Sequence, residues 1–129
     1  MCLLNPEAPE TQTERQAAEK LGVQWCNVPL PGNGASTPAE RQQILTLLAA
    51  PGAGPTLVHC AAGTNRTGLA VGLYRLHQQG WELERVLGEM RTFGFDDDER
   101  HRGVREALAS EAATAASSRP AGAQTENAP

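Results

Sequence analysis

The stretch His59-Cys60-Ala61-Ala62-Gly63-Thr64-Asn65-Arg66-Thr67-Gly68 constrains this chain more than any other. Ahead of it, Thr56 to His59 reads as a short buried strand. Behind it, Arg66 to Gln79 carries Leu69, Ala70, Leu73 and Leu76 at helical spacing, and Gly80 closes the run. A strand that turns into a helix through small residues aims successive backbone N–H groups and a helix N-terminus at one point, which makes an anion site. Ala61, Ala62 and Gly63 let the main chain approach an anion closely, and Thr64 and Asn65 complete the turn. Cys60 lies at the base of the loop. A helix N-terminus and a nearby guanidinium favour its thiolate, a competent nucleophile. Arg66 carries a planar fork that matches two phosphate oxygens, a geometry that lysine lacks. Thr67 is placed to donate a hydrogen bond to the sulfur and help it leave. The candidate catalytic residues are therefore Cys60, Arg66 and Thr67. The candidate substrate-binding residues are His59, Ala61, Ala62, Gly63, Thr64 and Asn65.

The rest of the chain supplies a scaffold for that loop. Met1 to Asn5 is a short apolar run ended by Pro6. Thr11 to Leu21 reads as a helix, with Thr11 and Glu14 as a capping box, Arg15 and Glu19 one turn apart, and Gly22 at its end. Val23 to Leu30 reads as a strand, followed by a loop over Pro29 to Gly34. Thr37-Pro38-Ala39-Glu40 is a helix start, and Pro51 to Pro55 ends that helix. Glu82 to Phe93 places Leu83, Val86, Leu87 and Met90 on one face. Asp96-Asp97-Asp98-Glu99 then opens a last helix running to about Ser110. This order predicts an α/β domain: a small sheet covered by helices, with the Cys-x5-Arg loop between a central strand and a helix.

Composition narrows the function classes. A net charge of −4, with Lys20 the only lysine, provides no basic stripe for nucleic acid. No run approaches the roughly 20 apolar residues of a membrane span. No signal peptide is expected, and three cysteines without a disulfide framework point to a reducing, cytoplasmic setting. The alanine-rich, lysine-poor usage suits a GC-rich bacterial genome. From Ala112 to Pro129 the chain lacks large apolar side chains and is expected to be a disordered tail. Cys26 is expected in the core, Trp25 and Trp81 as packing anchors, and His77, His101, Arg100, Arg102 and Arg105 on the surface. No Cys/His spacing suggests a metal site.

The motif His-Cys-x5-Arg-Thr-Gly, with Gly63 inside it, resembles the signature of the cysteine-dependent protein tyrosine phosphatase superfamily, in particular its compact dual-specificity type. Gly80-Trp81 and Glu89-Met90-Arg91-Thr92-Phe93-Gly94-Phe95 are similar to bacterial and plant-type members. The resemblance implies a phosphatase domain over residues 1–111, short at its N-terminus beside that family. It also implies a phosphorylated substrate, protein or small ester, hydrolysed through a phosphocysteine intermediate without metal or other cofactor. His59 would tune the cysteine, and residues 61 to 66 would bind phosphate.

One departure stands out. Such phosphatases usually carry an aspartate general acid in a loop upstream of the cysteine. No aspartate occurs between Met1 and Phe95, and the matching loop, Gly32-Asn33-Gly34, offers only Asn33. Three explanations remain open at this level. Another carboxylate, Glu40 or one of Asp96 to Asp98, donates the proton; the substrate is a phosphoanhydride such as a 5′-triphosphate, whose leaving group needs none; or the protein binds phosphate groups without efficient turnover. A rhodanese-like sulfurtransferase is disfavoured by Arg66-Thr67, and an arsenate reductase by the position of the cysteine.

Overall fold

The structure, a computed structural model, describes residues 1–52 and 54–118. Five α-helices carry the fold: α1 (Pro9–Leu21), α2 (Pro38–Leu48), α3 (Asn65–His77), α4 (Leu83–Thr92) and α5 (Arg102–Ser118), the last preceded by a 3-10 turn at Glu99–His101. Pro9 and Pro38 occupy first-turn positions, where a missing N–H costs nothing. At α2 the capping box forms as the sequence predicts: Thr37 Oγ1 accepts from the Glu40 N–H at 3.1 Å, and Glu40 Oε1 accepts from the Thr37 N–H at 2.8 Å.

At α1 the capping-box expectation fails. Pro9 starts the helix at Ala8, ahead of Thr11, so Thr11 lies inside it and is buried. Glu14 is thereby released for the contacts described below. Gly22 ends α1 in the left-handed region, where its N–H reaches Glu19 O.

The predicted sheet is reduced to two isolated parallel bridges, Cys2 with Asn27 and Cys2 with His59. The N-terminal segment is central. Cys2 N–H bonds Cys26 O at 2.9 Å and Val28 N–H bonds Cys2 O at 3.0 Å on one side. Leu3 N–H bonds His59 O at 3.0 Å and His59 N–H bonds Met1 O at 3.1 Å on the other. No regular strand forms among the described residues, because the three segments meet only around Cys2. Leu30 N–H still bonds Leu3 O at 3.1 Å, Pro6 removes a donor that a longer ladder would need, and the Asn27 side chain caps the carbonyls of Cys2 and Leu4 at 2.9 and 3.0 Å.

Helices α2 to α5 enclose the core, centred on Leu3, Ile44, Leu69, Leu73, Leu76, Val86 and Leu108, each fully buried or nearly so. α3 runs through the middle. Gly72 allows α3 to approach α4 and α5, since a Cβ there would sit 2.9 Å from Leu108 Cδ2 and 3.0 Å from Val86 Cγ1. Ion pairs lock the bundle from outside. Arg75 on α3 grips both Glu89 oxygens on α4, at 2.8 and 3.1 Å. Glu111 on α5 receives Arg41 of α2 and His77 of α3 at 2.8 and 2.9 Å, so His77 is a linking residue and not a surface one.

The tail expectation needs correcting over its first part. α5 continues to Ser118, and Ala115 is buried, because small residues suffice for the face that α5 turns inward. Residues 119–129 of the expected tail lie outside the described residues. No described helix is long and apolar enough to cross a membrane.

Candidate active site

The His59 to Gly68 loop leaves an isolated bridge at His59 and enters α3 at Asn65; the buried central strand expected over Thr56 to His59 does not form, since Leu57 is largely exposed and the N-terminal segment takes the central place. Ala61, Ala62 and Gly63 are exposed, so the floor of the loop is open to solvent. Gly63 takes φ +75°, a left-handed conformation that a side chain would strain. That turn brings its N–H to 3.3 Å from Cys60 Sγ. Thr67 Oγ1 donates to the same sulfur at 3.0 Å. Burial pushes the Cys60 thiol up, but hydrogen bonds from the Thr67 side chain, the Thr67 backbone and the Gly63 backbone, with the Arg66 charge, outweigh it. The thiol is held below its ordinary value.

Arg66 Nη1 donates to Leu30 O at 3.3 Å, so the guanidinium is anchored to the start of the Pro29–Gly34 loop. That loop is itself pinned. Gly34 takes φ +77° and packs on Val104 of α5, where a Cβ would collide with the valine side chain. Asn33 is exposed and spends its Oδ1 on the Ala35 N–H at 3.0 Å. The loop facing Arg66 thus carries no ionisable group.

Of the other candidate proton donors Asp96 is exposed, and Glu40, Asp97 and Asp98 are engaged elsewhere. Glu40 belongs to its capping box. Asp97 is held low, first by its hydrogen bond from Arg91 and also by Arg105, and so stays ionised. Asp98 caps the 3-10 turn by accepting the His101 N–H at 3.1 Å.

Two connections to the loop escaped sequence reasoning. The first is His101, expected on the surface but 4% exposed. Its Nε2 lies 2.7 Å from Asn65 Nδ2, and its Nδ1 lies 3.1 Å from Asp96 O and 2.9 Å from Asp98 Oδ1. An imidazole that donates from Nδ1 and accepts at Nε2 ties the acidic turn to the phosphate loop. The second is Glu14, discussed below. A buried polar residue gives no periodic signal, so neither was legible in the pattern.

Beside the loop, between α3 and α4, lies a groove of about 190 Å³ bordered by Gly63, Thr67, Val71, Met90 and Phe93; Phe93 is largely exposed. Cys2, Cys26 and Cys60 are all free thiols. Among the described residues, Cys2, Glu14 and His59 bring ligand-type atoms within 4.8 Å of one another. Glu14 Oε2 lies 2.7 Å from His59 Nε2 there, beside the buried Cys2 thiol.

Known proteins share sequence and fold with this chain. The profile described as "Tyrosine phosphatase family" matches residues 2–116. Dual specificity protein phosphatase TpbA of Pseudomonas aeruginosa is 46% identical over 62 residues, which is 47% of this chain and 28% of TpbA. The match therefore spans under a third of the length of that relative. The crystal structure of P. aeruginosa TpbA superposes with a TM-score of 0.61 at 28% identity, over 89% of this chain and 71% of that one. The core catalytic domain of the PP-IP phosphatase SIW14 from S. cerevisiae, in complex with citrate, superposes with a TM-score of 0.68 at 24% identity, over 90% of this chain and 71% of that one. The latter similarity is one of fold.

Proposed function

The chain belongs to the tyrosine phosphatase family, and on that footing we propose that it hydrolyses phosphomonoesters through a phosphocysteine intermediate on Cys60. The observation that carries this reading is the sulfur's environment: two directed hydrogen bonds, from Thr67 Oγ1 and Gly63 N–H, at the entrance of α3. These favour the thiolate.

In the first step Cys60 Sγ attacks phosphorus, the S–P bond forms, and the ester P–O bond breaks with its electrons leaving on the alcohol oxygen. Arg66 and the N–H groups of Ala61 to Asn65 take the charge that spreads over the equatorial oxygens. In the second step water attacks phosphorus and the S–P bond breaks. Inorganic phosphate departs, and Thr67 stabilises the returning thiolate. His59 supports the loop from behind. The working domain runs through the end of α5 at Ser118. The chemistry needs the free thiol that a reducing compartment such as the cytoplasm maintains.

The substrate reading follows from the blank Pro29–Gly34 loop. Without a proton donor there, the enzyme prefers leaving groups that depart as stable anions. Aryl phosphates such as phosphotyrosine qualify, and a TpbA variant has been solved in complex with pTyr. The groove beside Gly63 offers Met90 and Phe93 to an aryl group. The same missing acid favours a second reading, hydrolysis of a phosphoanhydride, the chemistry named for SIW14 by the term PP-IP phosphatase.

The test is turnover of para-nitrophenyl phosphate by the wild type and by Cys60→Ser, with tungstate binding as the control for an intact loop. The reading expects turnover that disappears in the variant while tungstate still binds. Equal turnover in both proteins sinks the mechanism. Absence of turnover in a wild type that binds tungstate makes the protein a phosphate-binding module. Relative rates on phosphotyrosine peptide and on inorganic pyrophosphate then separate the two substrate readings.

A further inference from the structure

Helix α1 is joined to the fold in an unusual way. Its 13 residues bury only Thr11 and no large apolar side chain. What it directs inward is a carboxylate. Glu14 Oε2 lies 2.7 Å from His59 Nε2, off the line of a well-aligned hydrogen bond, and Glu14 Oε1 accepts from Trp25 Nε1 at 2.8 Å. On its other side, the His59 ring places Nδ1 3.1 Å from the carbonyl oxygen of Cys60. A continuous polar chain therefore runs from Trp25 through Glu14 and His59 to the main chain of the nucleophile.

We propose that Glu14, locked by Trp25, is a positioning residue for His59, holding the imidazole as a cation oriented on the Cys60 carbonyl. The proposal deepens the phosphatase reading and rests on it. The charged and titratable groups facing His59 are Glu14 from α1, the Met1 ammonium and the Cys2 thiol from the central segment, and Cys60 itself. The ammonium opposes the proton on His59, while Glu14 favours it more strongly. The Glu14 contact comes first, against burial, with the Cys60 carbonyl helping, and together they raise His59 above its ordinary 6.5. Burial pushes Glu14 up, but the contacts from His59 and Trp25 outweigh it, so Glu14 lies below 4.5.

The signs fix a pH window. A raised histidine contributes stability below its unfolded value, and this is lost as pH rises through the folded one. A lowered carboxyl contributes above its unfolded value, and this is lost as pH falls through the folded one. The pair is therefore intact from below the ordinary carboxyl value of 4.5 to above the ordinary imidazole value of 6.5. In that range the positive end of the pair faces the Cys60 main chain.

The experiment is a proton NMR titration of the three histidines in wild type, Glu14→Gln and Trp25→Phe, paired with kcat/KM on para-nitrophenyl phosphate across pH. In Glu14→Gln the His59 midpoint should fall towards the ordinary imidazole value. The high-pH limb of kcat/KM should move acidward with it, giving a loss of about threefold to tenfold at pH 7.5. Trp25→Phe should show the same directions with smaller size. An unmoved His59 midpoint in Glu14→Gln overturns the proposal. So does a midpoint that moves with no change in the pH profile, because Glu14 would then be a fastener for α1 alone. The titration needs no turnover, so it reads out independently of whether the phosphatase assignment survives.

Discussion

The two walls of the site differ in chemical equipment. The wall built by residues 59 to 68 is dense with directed polar contacts: Thr67 and Gly63 on the sulfur, His59 on the Cys60 carbonyl, Glu14 behind His59, and His101 on Asn65. The wall built by residues 29 to 34 is packed firmly, through Gly34 on Val104 and Leu30 O on Arg66, yet it offers no proton. Nucleophile activation and leaving-group protonation are separate problems, and on the function proposed above this fold provides structure for the first while leaving the second to the substrate. A wall without an acid is still useful, because its carbonyl holds the guanidinium proposed to clamp phosphate.

The comparison is broken most directly at the shared contact. Arg66→Lys removes the bidentate fork and the hold on Leu30 O together, and should lower kcat/KM on para-nitrophenyl phosphate by about 10²–10³-fold. Steady-state kinetics close to wild type would mean that Arg66 serves only the packing of the two walls. Next in size, Thr67→Val keeps the shape of the side chain and deletes its hydrogen bond to the sulfur. Loss of a hydrogen bond to a charged group, about 1.5–3 kcal/mol, should cost roughly tenfold to a hundredfold in rate near neutrality. The acid limb of the pH profile should also move upward as the thiolate becomes harder to form. An unshifted limb would assign thiolate stabilisation to the backbone N–H groups alone.

The smallest effect is a gain. Asn33→Asp preserves the acceptor that Ala35 N–H uses and places a carboxyl in the opposite wall. General acids typically contribute 10²–10⁴-fold when ideally placed, so a newly introduced one should raise turnover of alkyl phosphates by about tenfold and leave para-nitrophenyl phosphate unchanged. Equal response on both substrates would show that the loop does not reach the leaving group.

Part of this molecule was legible in advance. The start of α2 followed from Thr37-Pro38-Ala39-Glu40, because a capping box is satisfied by residues three apart, with no help from the fold. Thr11 and Glu14 have the same spacing and failed, since Pro9 starts α1 earlier and Glu14 finds a partner distant in sequence. The sheet was overestimated because apolar runs report burial, whereas a ladder also requires partners of matching length, and only Cys2 has one on each side. The end of α5 was underestimated because alanine has high helix propensity and a low hydrophobic signal.

The sequence by itself determined the family and the loop: the proposed nucleophile, the proposed clamp and the glycine turn lie within ten consecutive residues, where local geometry dictates what the backbone can do. Only the tertiary structure decided how that loop is held. Glu14, Trp25, His59 and His101 come from four separate segments, and their contacts exist because folding brings polar groups together away from water, where each must find a partner or be costly to bury. No spacing rule along the chain encodes such a meeting.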